Sequence, residues 1–179
     1  MRNHFVTFGA LVLWCLAASA ADQQRNKFVG ILNLFPGYHV LTLADRDTET
    51  RSFLHQRFPK DNPSVVHADI DGDGHLDYAL LLKNDKSSHA KFVVLLCSAD
   101  DSCKKTYESD LTGYSEEVCL RGASSGSRFP RTEAIETPDR IGPLKPSATG
   151  IRVIYVGQAE VVYSWNKKHQ KIEAIQTGD

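Results

Sequence analysis

Asp69-Ile70-Asp71-Gly72-Asp73-Gly74-His75-Leu76-Asp77, followed at once by Tyr78-Ala79-Leu80-Leu81-Leu82, is the stretch whose reading decides the fold. The apolar run after the last Asp is too short for a helix that spans a core and too continuous for a one-sided strand. It suits a central strand covered on both faces. Before the loop, Ser64 to Ile70 carries Val65 and Val66 and reads as a strand as well. Phe92 to Cys97 is a further apolar strand, and Asn84-Asp85-Lys86-Ser87-Ser88 makes the turn between it and Tyr78 to Leu82. The acidic loop is therefore expected to join two strands of a β-hairpin.

Working outward, Val40 to Leu43 is a short β-like run. Asp45 or Asp47 can then cap a helix by accepting hydrogen bonds from its free N–H groups. Glu49 falls in the first turn, Phe53, Leu54 and Phe58 form one apolar stripe, and Pro59 stops the helix. This helix is expected to cover one face of a sheet. Residues 121–150 are rich in Gly, Ser and Pro, with Pro130, Pro138, Pro143 and Pro146, and read as loop. Strands resume at Ile151 to Val156, turn at Gly157-Gln158, and continue with Ala159, Val161, Tyr163 and Trp165 on one face and Glu160, Val162 and Ser164 on the other. Lys171 to Ile175 is the last strand. The fold class expected is α+β: a mainly antiparallel β-sheet with one or two covering helices and a calcium-loop β-hairpin.

The loop carries the chemistry. Asp69, Asp71, Asp73 and Asp77 stand at loop positions one, three, five and nine. Calcium is a hard cation that takes six to eight oxygens at flexible distances, and alternating Asp residues can turn inward around one point. Gly72 and Gly74 permit the sharp backbone that such wrapping needs. The carbonyl of His75 is placed to add a backbone oxygen, with its ring outward. The expected metal set is thus Asp69, Asp71, Asp73, His75 and Asp77, and the expected cofactor is calcium. Magnesium demands tight octahedral geometry and fits less well. A solvated Asp-Gly hairpin without metal is the plain alternative.

An EF-hand needs a bidentate Glu at position twelve, where this chain has Leu80, and a helix on each side, where this chain reads as strand. The segment Val65 to Lys83 instead resembles the DxDGDGxxD calcium loops of FG-GAP and VCBS-type repeats, in which the ion staples a β-hairpin. More of the chain is similar to small exported bacterial proteins of this FG-GAP/VCBS-like kind: Gly37-Tyr38-His39-Val40-Leu41, Phe58-Pro59-Lys60-Asp61-Asn62-Pro63-Ser64, and Ala159-Glu160-Val161-Val162-Tyr163-Ser164-Trp165. The resemblance implies a bacterial, periplasmic or secreted single-domain protein, and it implies no particular activity. A propeller of several blades is not expected, since the loop occurs once.

The N-terminus fits export. Arg2 precedes an apolar run from Phe5 to Ala17, and Ala18-Ser19-Ala20 offers small residues for cleavage. Residues 1–20 are read as a signal peptide and 21–179 as one calcium-binding α+β domain with no membrane span after cleavage. Loss of Arg2 leaves 20 basic against 22 acidic residues. That balance gives no reason to expect nucleic acid as a partner. Cys15 leaves with the leader, so Cys97, Cys103 and Cys119 remain; either Cys97 or Cys119 can pair with Cys103 in an oxidising compartment, leaving one thiol over.

No other motif carries comparable weight. Gly122-Ala123-Ser124-Ser125-Gly126 has the letters of a nucleophile elbow, but Arg128-Phe129-Pro130 opposes the helix that should follow. The six histidines beyond the leader, His39, His55, His67, His75, His89 and His169, are scattered; His67 and His75 flank the loop. The expected function is that of a calcium-stabilised binding or interaction module of the cell envelope, without catalysis, with an envelope protein or glycan as partner. The alternatives are a secreted hydrolase with a structural calcium, drawing on carboxylates such as Asp110, Glu116 or Glu117, and an inhibitor of an envelope-targeting enzyme.

Overall fold

A computed structural model describes residues 28–100, 102–130 and 145–178 of the protein. The expected signal peptide, and Pro138 and Pro143 of the Pro-rich stretch, lie outside the described residues. Contacts divide the chain into a unit over Met1–Pro36 and a unit over Gly37–Asp179. In the first, residues 28–32 are helical, and Ile31 and Phe35 are buried. The second carries the strands β1 (Tyr38–Val40), β2 (Val65–Ala68), β3 (Asp77–Asn84), β4 (Ala90–Cys97), β5 (Cys103–Asp110), β6 (Val118–Ala123), β7 (Gly150–Tyr155), β8 (Ala159–Asn166) and β9 (Lys171–Gly178).

These strands make two antiparallel sheets. In the first, β3 pairs β4 and β4 pairs β5, while the other edge of β3 is shared end to end by β2, opposite Asp77 to Leu80, and β1, opposite Leu82 to Asn84. The second is the meander β6-β7-β8-β9. Period-two alternation then brings one face of each together. Val66, Ala79, Leu81, Phe92 and Val94 from the first sheet share an apolar cluster with Val118, Leu120, Ile151, Val153, Tyr163 and Ile172 from the second. Val161 and Trp165 pack against the same cluster, as the alternation along β8 requires. The expectation for β3 and β4 holds on both faces: Leu80, Leu81, Leu82, Phe92, Val93 and Val94 have no exposed surface.

The helix α1 spans Thr48–Arg57, and the capping alternatives resolve. Asp47 is the N-cap, its Oδ1 accepting the Thr50 N–H at 2.6 Å. Asp45 instead closes the preceding 3-10 turn (Leu43–Asp45) by accepting the N–H and hydroxyl of Thr42 at 2.9 and 2.8 Å. Both ends of α1 are tied to the β6 segment. The Asp47 N–H donates to the Glu116 carbonyl, and the Arg121 guanidinium lies 4.0 Å from the centre of the Phe58 ring.

Two strands differ from the sequence reading, which places no strand between Cys97 and Ile151 and reads residues from 121 onward as loop. Cys103–Asp110 is β5 and Val118–Ala123 is β6. The first is the end strand of its sheet and carries Lys104, Lys105 and Glu108, the charges that protect such edges from further pairing and that erase its apolar signal. Because these strands exist, the architecture is two facing sheets and not one sheet under helices. Register also settles the cysteines. Cys97 and Cys103 face each other at the β4–β5 end and form a disulfide, leaving Cys119 as a buried free thiol.

Candidate metal centre

The acidic segment is the loop of a β-hairpin: Ala68 pairs with Asp77 as the last rung between β2 and β3, and residues 69–76 span the gap. Ile70, 1 % exposed, plants the loop in the core cluster. Around it the carboxylates bend back onto the loop's own amides. Asp69 accepts the N–H groups of Gly72 (2.6 Å) and Gly74 (3.1 Å), Asp71 that of Asp73 (3.0 Å), and Asp73 that of His75 (2.8 Å). This coil requires positive φ at Gly72 (+79°) and Gly74 (+92°), a region that side chains with a Cβ rarely enter.

Asp77 differs from the other three. It has no exposed surface, its Oδ2 accepts the Ile70 N–H at 2.7 Å, and its Oδ1 accepts the Cys97 N–H from β4 at 2.8 Å. The Asp71 amide also bonds this carboxylate, which still keeps lone-pair capacity for a cation. Oxygens of Asp69, Asp71 and Asp77 all lie within 4.8 Å of one another, a group that could hold a metal ion. Among the described residues neither the Asp73 carboxylate nor a ring nitrogen of His75 belongs to it, and His75 is exposed. Sequence spacing thus identified the three convergent carboxylates. It did not reveal that one of them braces a neighbouring strand.

The crowding has an electrostatic signature. Burial pushes the Asp71 carboxyl above its ordinary value, and the neighbouring Asp73 and Asp69 charges push it further, against the pull of the Asp73 amide. Asp77 is also raised, first by burial and then by Asp71, against the amides of Cys97 and Ile70. A divalent ion among these oxygens would reverse both shifts, because it favours the ionised forms.

A pH dependence follows. Between the ordinary 3.8 and the raised values, the folded metal-free protein holds more protons than the unfolded chain. Stability from this pair therefore falls as pH rises through that window. Below 3.8 other carboxylates act in the opposite sense. Asp45 is raised by burial but brought down to about 2 by its bonds from Thr42 and His39; Asp100 is held at about 2 by Ser98 and Ser102. Their contribution is lost as pH falls toward 2. Metal-free protein should accordingly melt highest in mild acid, and excess calcium should remove the decline toward neutrality. Calorimetric scans across pH in chelator and in calcium measure this; identical profiles would show that the loop carboxylates are not coupled to an ion.

The second sheet grips the loop from outside. The Thr149 N–H, just before β7, donates to the Asp69 carbonyl at 3.0 Å, and Lys167 Nζ donates to the Gly72 carbonyl at 3.3 Å across 95 positions of sequence. No local pattern marks either contact, and sequence reasoning missed both.

The remaining candidates have structural employment. After β6, the Ser127 N–H closes a turn on the Ser124 carbonyl and the Ser125 hydroxyl donates to the Ser147 carbonyl, so the strand–turn–helix of a nucleophile elbow is not formed. His67 stacks on its cross-strand partner Tyr78 with ring centres 4.3 Å apart. His39 bridges Asp85 and Asp45 at 2.7 and 3.3 Å. Asp110 is held below its ordinary value by the Thr112 hydroxyl and amide, and Glu117 accepts the Gln158 side-chain amide. Burial raises the Cys119 thiol to about 11, which suppresses its nucleophilic thiolate at neutral pH. Among the described residues, no helix is long and apolar enough to cross a membrane. Comparison with known proteins finds no matching family, curated protein or solved structure.

Proposed function

We propose that this chain is an exported calcium-binding protein, a calcium-stabilised binding module of the cell envelope that performs no catalysis itself. The observation that carries the reading is the convergence of Asp69, Asp71 and Asp77 oxygens within 4.8 Å at one end of a buried hairpin. An all-oxygen donor set built of carboxylates suits a hard cation, and a flexible coil of Asp side chains suits calcium better than magnesium. Asp73 and the His75 carbonyl are proposed to complete the shell when the ion enters, with loop waters. The strand-flanked placement supports the likeness to FG-GAP and VCBS-type loops. The Cys97–Cys103 disulfide fits an oxidising compartment, periplasmic or extracellular.

The ion's proposed task is to fix the hairpin end so that the surrounding surface is presented to an envelope protein or glycan. Calorimetric titration of chelator-treated protein tests the first half. Calcium is expected to bind with a dissociation constant of about 10⁻⁴ to 10⁻³ M, the range of extracellular modules. Asp71→Ala is the discriminating variant, because that side chain accepts the Asp73 amide within the loop and is not a brace for a neighbouring strand. It should weaken calcium at least about tenfold while the metal-free melting temperature stays near that of the parent. Absence of heat at millimolar calcium ends the proposal. Capture of an envelope component that is released by chelator would support the second half.

A further inference from the structure

We infer that Lys167 is a resident counter-cation of the acidic loop that holds down its calcium affinity, an inference that rests on the calcium reading above. The residue belongs to the turn between β8 and β9, on the other sheet. That turn is pre-shaped: the Asn166 side-chain oxygen accepts the N–H groups of Lys168 (3.0 Å) and His169 (3.1 Å), and Gln170 takes a positive φ of 48°. From this base the ammonium reaches the Gly72 carbonyl at 3.3 Å. Gly72 lies between Asp71 and Asp73 in the chain. The approach is close enough that a Cβ on Gly72 would stand 2.9 Å from Nζ and 3.3 Å from the Ala148 Cβ. The glycine thus serves the approach of the lysine as well as the bend of the backbone.

The consequence is a matter of charge. The loop carries four carboxylates, and Lys167 is a cation placed against its backbone by the turn from the opposite sheet. Without metal, the ammonium relieves part of the mutual repulsion among the Asp side chains. With calcium, it becomes a like charge close to the ion and opposes it. One side chain therefore narrows the gap between the metal-free and loaded states from both ends. Lys167 is exposed, so the effect is modest and sensitive to salt.

Calcium titrations of the full chain, with Lys167→Met and Lys167→Arg beside the parent, test this at low and high ionic strength. Lys167→Met is expected to bind calcium about three- to fivefold tighter near 10 mM ionic strength, and the difference should shrink below about twofold near 1 M. Its metal-free melting temperature should lie below that of the parent, and calcium should raise it by more. Lys167→Arg keeps the charge and should stay within about twofold of the parent at both salt levels. Equal affinity of Lys167→Met and the parent at low salt overturns the inference. So does weaker binding by Lys167→Met, which would make Lys167 a support of the loop and not its competitor. A parent protein that gives no calcium heat overturns the calcium reading itself, an outcome distinct from the other two.

Discussion

Asp77→Ala is expected to lower unfolding free energy by about 3–5 kcal/mol, with or without calcium, as read from urea denaturation. The side chain has no exposed surface and accepts two backbone donors, the N–H groups of Ile70 and Cys97. Each orphaned buried donor costs roughly 1–3 kcal/mol, and removal of the carboxylate leaves a cavity beside them. Asp77→Asn should fall between parent and Ala. It keeps one acceptor oxygen but turns an NH₂ toward an amide that needs an acceptor. In metal-free protein some of the loss is returned, because the buried Asp77 charge and its repulsion with Asp71 disappear too. The net cost to Asp77→Asn should therefore be smaller in chelator than in calcium. A loss below about 1 kcal/mol for Asp77→Ala would mean that the two amides find water or other partners.

The second large effect belongs to Phe92→Ala, expected at about 3–5 kcal/mol for a fully buried aromatic in a packed core. Phe92 is central in β4 and meets Tyr163 of β8 with ring centres 4.9 Å apart and Tyr107 of β5 at 5.8 Å. Tyr107 and Tyr163 also meet each other at 5.3 Å, so three rings from both sheets close one triangle. Truncation removes the member that has no exposed surface and leaves a void that two half-held rings cannot fill without breaking strand register. Phe92→Leu should cost less than about 2 kcal/mol, since it keeps much of the volume and none of the ring contacts. Equal costs for the two would show that the aromatic geometry, and not the volume, holds the sheets together.

Much of the fold was legible because burial writes itself into local pattern. The unbroken apolar runs of β3 and β4 mark strands covered twice, and the alternation of Val161, Tyr163 and Trp165 marks the face of β8 that meets the core. Asp47 and Pro59 bracket α1 by chemistry that acts within a few residues. What escaped was non-local. Lys104, Lys105 and Glu108 make β5 look like a solvated turn, although an end strand tolerates such residues well. The facing of two sheets, and the sharing of one β3 edge by β1 and β2, depend on pairings that no window of sequence contains.

The site divides the same way. Spacing located Asp69, Asp71 and Asp77, since alternating Asp and Gly lets a coiled backbone turn its carboxylates toward one point. It offered no way to separate them from Asp73, which differs only in where the wrapped backbone directs its carboxylate. Nor did it show the grip of Thr149 and Lys167, which come from the opposite sheet.

The position of Asp77 has one more consequence. Its two acceptor oxygens join the amide of Ile70, inside the loop, to that of Cys97, which is itself bonded through sulfur to Cys103. Surface loops ordinarily open on their own, at a small fraction of the energy that melts the domain. Here the knot of amide, carboxylate and sulfur denies such private motion to the Ile70 end of the bend, where the Asp77 carboxylate links it to the end of β4. The anchored end of the acidic bend thereby inherits its rigidity from the sandwich, while the exposed residues 72–76 lie beyond that anchor.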